Sequence, residues 1–226
     1  MGKSKLLNDF FNQTFESAIN EKMMYYSYEF EYDLVLKNIY ELLEIDLSEF
    51  LNYIISNYNV HYLTSEDVVQ FSDFDDCTEN ICSLYKLNGD TGFKFVETGR
   101  MLLDDGIERN DGAYRKYGEN HSKTACNLGL LQVNEHTYYL SCLGYIFNTL
   151  ESEVKNNLVC RLILRNKLIK RLLYKVIRDG QAIYNNEVIF LKESTINRRK
   201  SNVKKLLKFI VDNNDCFSEI IQKIII

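Results

Sequence analysis

The sequence has 226 residues and contains no proline, no tryptophan and only four alanines. Without proline, the ends of helices and the turns must be set by Gly, Asn, Asp and Ser. No run approaches the roughly 18 consecutive apolar residues of a membrane-spanning helix, which excludes that class of protein. Residues 1–20 carry charges and amides throughout and lack the apolar core of a signal peptide, so we expect a cytoplasmic protein.

Cysteine pairs at metal-binding or redox spacing are also missing. None of the six cysteines forms a C-x-x-C motif, so a zinc ribbon or a redox pair is not expected. We interpret them as reduced thiols that are mostly buried. Hydrophobic residues make up 46% of the chain and charged residues 26%, a balance that excludes wholesale disorder.

Positive charge is scarce in the first part of the chain. Residues 1–90 contain 5 Lys and Arg against 17 Asp and Glu, whereas residues 91–226 contain 22 against 15, within a net charge of −5. Such asymmetry indicates a polyanionic partner, above all nucleic acid, for the basic part. The alternative is that two solvated surfaces differ in sign. The change of sign coincides with the glycine-containing segment 88–92, the best candidate for a domain boundary.

Hydrophobic spacing after this boundary predicts a series of helices and strands whose order is typical of one class of domain. The predicted elements are three helices and then two strands around a polar turn: Phe93–Leu103, Ala113–Gly118, Glu119–Leu130, Leu130–Val133 and Tyr138–Leu143. This is the order of a winged helix-turn-helix, whose second helix in the turn motif enters the major groove of DNA. Winged helices that bind protein instead are the alternative.

The helix predicted at 119–130 has a polar side suited to base edges and phosphates. We predict that Asn120, Lys123, Thr124 and Asn127 face DNA, with His121 near the start of the helix packed or touching a phosphate. Arg115 and Lys116 lie just before this helix, where they would meet phosphates.

The same residues carry a resemblance. Residues 93–133 and 138–147 include the patterns Ala125…Leu128-Gly129-Leu130 and Tyr139-Leu140-Ser141…Gly144, and Thr195–Leu207 follows a T-I-x-R-R pattern. Over about residues 90–212 the chain resembles the winged-helix domain of type II restriction endonucleases and related defence proteins. The resemblance implies sequence-selective binding of double-stranded DNA, as the recognition component of a bacterial restriction or phage-defence system or as a regulator.

A second basic helix is predicted at Thr195–Val211. An apolar stripe through Val203 and Ile210 would face inward, and polar residues would face outward. The outward residues proposed to bind DNA are Arg198, Ser201, Asn202 and Lys205, flanked by Arg199 and Lys204. The alternative is a solvated basic helix packed on the preceding domain.

These patterns predict a fold that is mostly α with small β-hairpins and with a winged helix-turn-helix that is single or tandem. We expect an acidic, mostly helical module of unknown role at 1–89, the winged helix-turn-helix domain at 90–150, and a helical extension at 151–226 with a second basic helix-turn-helix-like unit. Val60–Leu63, within the acidic module, is predicted as a short strand.

Residues for catalysis are harder to find, and no catalytic or metal-binding residue is predicted. The one D/E-x-K triplet, Glu153-Val154-Lys155, opens a predicted helix, whereas a restriction nuclease places this triplet on a strand. A complete small endonuclease, a type II site-specific deoxyribonuclease that uses Mg²⁺, stays open as an alternative; otherwise no cofactor is expected. Expected partners are double-stranded DNA and either a second copy of the chain or a defence-system protein, with no membrane.

Overall fold

The structure is a computed structural model that describes residues 2–12, 29–88 and 92–226. The protein is mostly helical, as predicted. The helices are α1 Lys3–Phe11, α2 Glu29–Leu43, α3 Leu47–Ser56, α4 Glu79–Leu87, α5 Phe95–Leu102, α6 Asp111–Leu128, α7 Cys142–Phe147, α8 Ser152–Arg165, α9 Lys167–Asp179, α10 Tyr184–Glu187, α11 Glu193–Asn213 and α12 Ser218–Ile221. The strands are β1 Leu131–Asn134, β2 Thr137–Leu140, β3 Ala182–Ile183 and β4 Ile224–Ile225.

Polar residues and glycine set the ends of these helices, as a chain without proline requires. The side chain of Asp46 accepts a hydrogen bond from Ser48 N at the start of α3, and Asn110 and Asn166 cap α6 and α9 in the same way. Helix α6 ends at Gly129, which has a left-handed backbone with φ of 82°.

The chain forms two compact units, each built from separate stretches of the sequence. One consists of Met1–Leu7, Tyr40–Val69 and Ser152–Ile226, and the other of Asn8–Ile39 and Gln70–Glu151. The acidic module expected at 1–89 is therefore divided, because residues 40–69 pack with the C-terminal helices. The second predicted boundary, at 150/151, lies one residue from the observed one.

The two units differ strongly in charge. The first contains 18 Lys and Arg against 13 Asp and Glu, a net charge of +5, and we call it the basic unit. The second contains 9 against 19, a net charge of −10, and we call it the acidic unit.

In the acidic unit, α5 and α6 pack closely through glycines. A Cβ atom placed on Gly118 of α6 would lie 1.9 Å from the carbonyl oxygen of Phe95, and one on Gly99 of α5 would lie 1.9 Å from that of Tyr114. Helix α6 is continuous from Asp111 to Leu128, so the predicted break between a short helix and a second helix near Gly118 is wrong. Gly118 allows two backbones to meet; it does not end a helix.

A hairpin follows α6, close to where it was predicted. Strands β1 and β2 pair antiparallel, from Leu131 opposite Leu140 to Asn134 opposite Thr137. The two turn residues, Glu135 and His136, both have positive φ, 47° and 66°, which is the geometry of a tight two-residue turn. Helix α7 begins at Cys142, so the second strand is shorter than predicted.

Phe93, which precedes α5 by two positions, extends this hairpin. The main-chain N–H of Phe93 donates to the carbonyl oxygen of Tyr138, and the N–H of Tyr138 donates to that of Phe93, both at 2.9 Å. A short extended segment between α4 and α5 thus pairs with β2.

In the basic unit, the apolar core comes mainly from α8, α9 and α11. Buried residues include Leu162 and Ile163 of α8, Leu172 of α9 and Ile210 of α11. The second β pair is not a hairpin, because β3 and β4 run parallel, with Ala182 opposite Ile224. Residues 60–63, predicted as a strand, lie in the loop that follows α3.

Candidate nucleic-acid interface

Helix α11 of the basic unit has one exposed basic face. At about 100° per residue, Arg198, Ser201, Lys204, Lys205 and Lys208 share roughly a third of the helix circumference, and all five are exposed. Lys208 also pairs with Asp212, its Nζ lying 2.6 Å from a carboxylate oxygen.

The opposite face of α11 is buried, as predicted. Val203, Leu206, Leu207 and Ile210 are each at most 3% exposed. Because the helix is fixed in the core along this stripe, the basic face has a defined direction towards solvent.

Two residues predicted to bind DNA from α11 belong to the buried side. Asn202 is 3% exposed, which corrects the prediction that it faces outward. Arg199 lies on the apolar stripe, four residues before Val203, and its Nη1 donates to the carbonyl oxygens of Ser65 at 2.5 Å and Val68 at 2.7 Å. Burial lowers the pKa of Arg199. Its guanidinium group is a link to the 64–68 loop, so it too leaves the set of surface residues.

Other arginines of the basic unit are also used internally. Arg161 is 3% exposed and donates to the carbonyl oxygens of Leu42, Leu43 and Ile45, at the C-terminal end of α2. Burial lowers the pKa of Arg161 to about 10, so the group stays charged at neutral pH. Cations at the end of a helix are favoured by its exposed carbonyls.

Arg171 of α9 has a similar role. It donates to the carbonyl oxygens of Val60 and His61, each at 3.0 Å, and its Nε lies 3.7 Å from the buried carboxylate of Glu187. Lys175 completes this pair, with Nζ 2.8 Å from Glu187. Part of the basic charge that the sequence suggested for DNA therefore holds the unit together.

The residues of α6 that were predicted to bind DNA also divide into an exposed group and a buried group. Arg115, Lys116 and Lys123 are exposed, and Asn120 and Asn127 are partly exposed. Glu119 pairs with both lysines, at 3.4 Å to Lys116 and 2.8 Å to Lys123, so part of their charge is neutralised locally.

Thr124 and His121 are buried, which corrects the prediction that Thr124 faces outward and agrees with the packed alternative for His121. Thr124 is 2% exposed, and its Oγ1 lies 2.9 Å from the carbonyl oxygen of Asn120. It is four residues before Leu128, on the apolar stripe of α6, and this spacing was the available signal.

His121 is 1% exposed and lies in a hydrogen-bonded cluster. Its Nδ1 is 2.7 Å from the carbonyl oxygen of Tyr117 and must carry the proton, because a carbonyl only accepts. Nε2 then accepts from the main-chain N–H of Ser72 at 3.4 Å. Burial lowers the pKa of His121, so the ring is neutral at pH 7.

Tyr117 connects this cluster to an acidic loop. Its hydroxyl donates to Asp76 at 2.5 Å, and burial, together with this carboxylate, raises the pKa of Tyr117 to about 12. The cluster ties residues 72–76 to α6, which gives His121 and Tyr117 a structural role.

A residue that the sequence gave no reason to select is Tyr62. Its side chain is 72% exposed in the loop after α3, and Lys167 Nζ lies 5.9 Å from the ring centroid. Lys167 lies more than a hundred positions along the chain, so no local pattern joins the two.

Within the described residues, no helix is long and apolar enough to cross a bilayer. In the same residues, no group of three or more His, Cys, Asp and Glu side chains is placed to hold a metal ion. Comparison with protein-family models, with curated proteins and with solved structures finds no match for the chain.

Proposed function

We propose that the protein binds double-stranded DNA through the exposed face of α11. The observation that carries this proposal is the arc of Arg198, Ser201, Lys204 and Lys205, which lies opposite a buried stripe in the unit with a net charge of +5. Lysine and arginine contacts to phosphates supply most of the affinity of such proteins, and a single helix fits the major groove.

The residues on this face suit both parts of DNA recognition. The positive side chains would neutralise phosphates, and Ser201 with the exposed Asn197 offers neutral hydrogen-bonding groups for base edges. From Arg198 to Lys208 the face extends about 15 Å along the helix axis, long enough to touch several phosphates. Selectivity for sequence, expected from the resemblance to restriction enzymes, would depend on the neutral groups.

The acidic unit supports a winged-helix assignment through its order of elements. Helix α4, the extended segment at Phe93, α5, α6 and the β1–β2 hairpin follow one another, and Phe93 pairs with β2. We infer that α6 as a whole corresponds to the recognition helix and that the long connector at 103–110 replaces the tight turn. This arrangement differs from the helix pair predicted within 113–130.

A second candidate function is favoured by the charge of this unit. Residues 92–140 contain six Lys and Arg against seven Asp and Glu, and the hairpin turn presents Glu135. This range has no excess of positive charge to attract phosphates. Leu87 and Val133 are 87% and 56% exposed, so we propose that the winged helix of the acidic unit contacts protein.

The test is a fluorescence-anisotropy titration with duplex DNA at several salt concentrations. Removing two phosphate contacts with the variant Lys204→Ala/Lys205→Ala should weaken binding and lower the slope of log K against log salt by about 2. Lys223→Ala is the control, because it removes a positive charge from the same unit that does not belong to α11. No binding at low salt, or a double variant that matches the control, would overturn the proposal.

Two further experiments test DNA contact by the acidic unit and the endonuclease alternative. Lys123→Ala reports on α6, and a loss equal to that of Arg198→Ala would assign DNA contact to the acidic unit as well. Adding Mg²⁺ tests the endonuclease alternative, which gains support if the purified protein cuts the duplex.

A further inference from the structure

Tyr62 is the most exposed of the described tyrosines, at 72%, compared with 46% for Tyr40 and 40% for Tyr145. Tyrosine rings usually bury most of their apolar surface. A ring held in solvent offers a face on which a flat partner can stack.

The loop that carries Tyr62 is anchored on both sides. Before Tyr62, the guanidinium of Arg171 holds the carbonyl oxygens of Val60 and His61, each at 3.0 Å. After it, Arg199 holds those of Ser65 and Val68. The ring is therefore presented by a fixed backbone, which lowers the entropy lost when a ligand binds.

The surroundings of Tyr62 combine an exposed lysine with an acidic partner, because Lys167 Nζ also lies 3.8 Å from the Asp67 carboxylate. Lys167 Nζ lies 5.9 Å from the ring centroid of Tyr62 and is itself about half exposed. Arg171 and Arg199 hold the loop from inside the unit, and Arg198, the residue before Arg199, lies on the exposed face of α11. An exposed aromatic ring with a positive side chain beside it is an arrangement by which proteins bind unpaired nucleotides.

We propose that Tyr62 is a stacking platform for an unpaired nucleobase, with Lys167 contacting the adjacent phosphate. This inference rests on the proposed function, since it places a single-stranded segment of the bound nucleic acid on the same unit as α11. Stacking on an aromatic ring tolerates any base, so this contact adds affinity without sequence preference.

The absence of tryptophan makes the test direct. Tyr62→Trp introduces the one tryptophan of the chain, whose fluorescence is quenched when a base stacks on the indole. Tyr40→Trp is the matched control, because Tyr40 is also exposed in the basic unit but is followed by Glu41 and Glu44. The probes are a blunt duplex and the same duplex with a short single-stranded overhang, and anisotropy measures binding in parallel.

We expect the overhang probe to quench Tyr62→Trp and the blunt duplex to leave it nearly unchanged. Tyr62→Ala should bind the overhang probe about tenfold more loosely while keeping its affinity for the blunt duplex, and Tyr62→Phe should retain both.

The outcomes separate this inference from the proposed function. Binding of both probes without quenching overturns the role of Tyr62 and leaves DNA binding intact. Equal quenching of the Tyr40→Trp control also overturns it, because the signal would then be unspecific. Failure to bind either probe at low salt overturns both proposals.

Discussion

Arg199 donates from Nη1 to the carbonyl oxygen of Val68 at 2.7 Å, and the same nitrogen donates to Ser65. The neighbouring Arg198 is exposed on the basic face of α11. Two adjacent arginines therefore have different roles, one inside the basic unit and one at its surface, and this difference can be measured.

We predict that the two alanine variants change different properties of the protein. Arg199→Ala leaves two carbonyl oxygens without their donor and should lower the free energy of unfolding by about 1–3 kcal/mol. Arg198→Ala should change it by less than about 0.5 kcal/mol and should instead weaken DNA binding. Urea denaturation measures stability and the anisotropy titration measures binding. Equal stability of the two variants would contradict the assignment.

Arg161 gives a second prediction about stability. Replacing it by methionine removes the donors to Leu43 and Ile45 in a buried place and should cost about 2–5 kcal/mol in the free energy of unfolding. Arg178→Met is the control, because Arg178 is exposed; it pairs with the exposed Asp179 and lies 5.5 Å from the Tyr174 ring centroid, so its replacement should cost much less stability. Comparable urea midpoints for the two variants would argue against the buried role.

The helical period predicted the buried face of α11 correctly, but it did not show that Arg199 belongs to that face. The apolar stripe of Val203, Leu206 and Ile210 follows local spacing, so the sequence alone was enough to find it. Arg199 lies on that stripe, but its charge suggested a surface position. Its acceptors, Ser65 and Val68, are more than a hundred residues away, and no local pattern indicates them.

The helix break predicted at Gly118 of α6 was wrong for a related reason. Gly118 was predicted to end a short helix, and glycine is in general unfavourable inside helices. The reason for glycine here is the neighbouring backbone at Phe95, a tertiary contact. The hairpin was predicted correctly, because its two strands and its turn are close in sequence.

Gly118 provides a third prediction, which opposes helix propensity. Alanine at an exposed position inside a helix normally stabilises by up to about 1 kcal/mol relative to glycine. In Gly118→Ala the new Cβ would meet the oxygen of Phe95, so α5 and α6 must separate, and we expect a loss of about 2 kcal/mol or more. Gly112→Ala in the exposed first turn of α6 meets only the Asn110 side chain at 3.1 Å and should change stability by less than about 1 kcal/mol. A stabilised Gly118→Ala would contradict the close packing of the two helices.

The burial of the neutral His121 ring leads to a prediction of how the free energy of unfolding depends on pH. Its pKa in the folded protein lies below the ordinary value of about 6.5, because burial disfavours the charged ring. Between the two pKa values the unfolded chain binds more protons, so the stabilisation is complete above about pH 6.5 and is lost as the pH falls towards the folded pKa. We expect the free energy of unfolding to fall as the pH drops below about 6.5, by at most about 1.4 kcal/mol per pH unit from this group.

The variant His121→Gln should reduce this slope whatever it does to absolute stability, because glutamine does not titrate. His61→Gln, at an exposed position, should keep the slope of the parent protein. Urea denaturation at a series of pH values measures all three proteins. If His121→Gln and the parent show the same slope, then the buried neutral ring of α6 does not control the acid sensitivity of the fold, and the cluster of Ser72, Tyr117 and His121 would need another explanation.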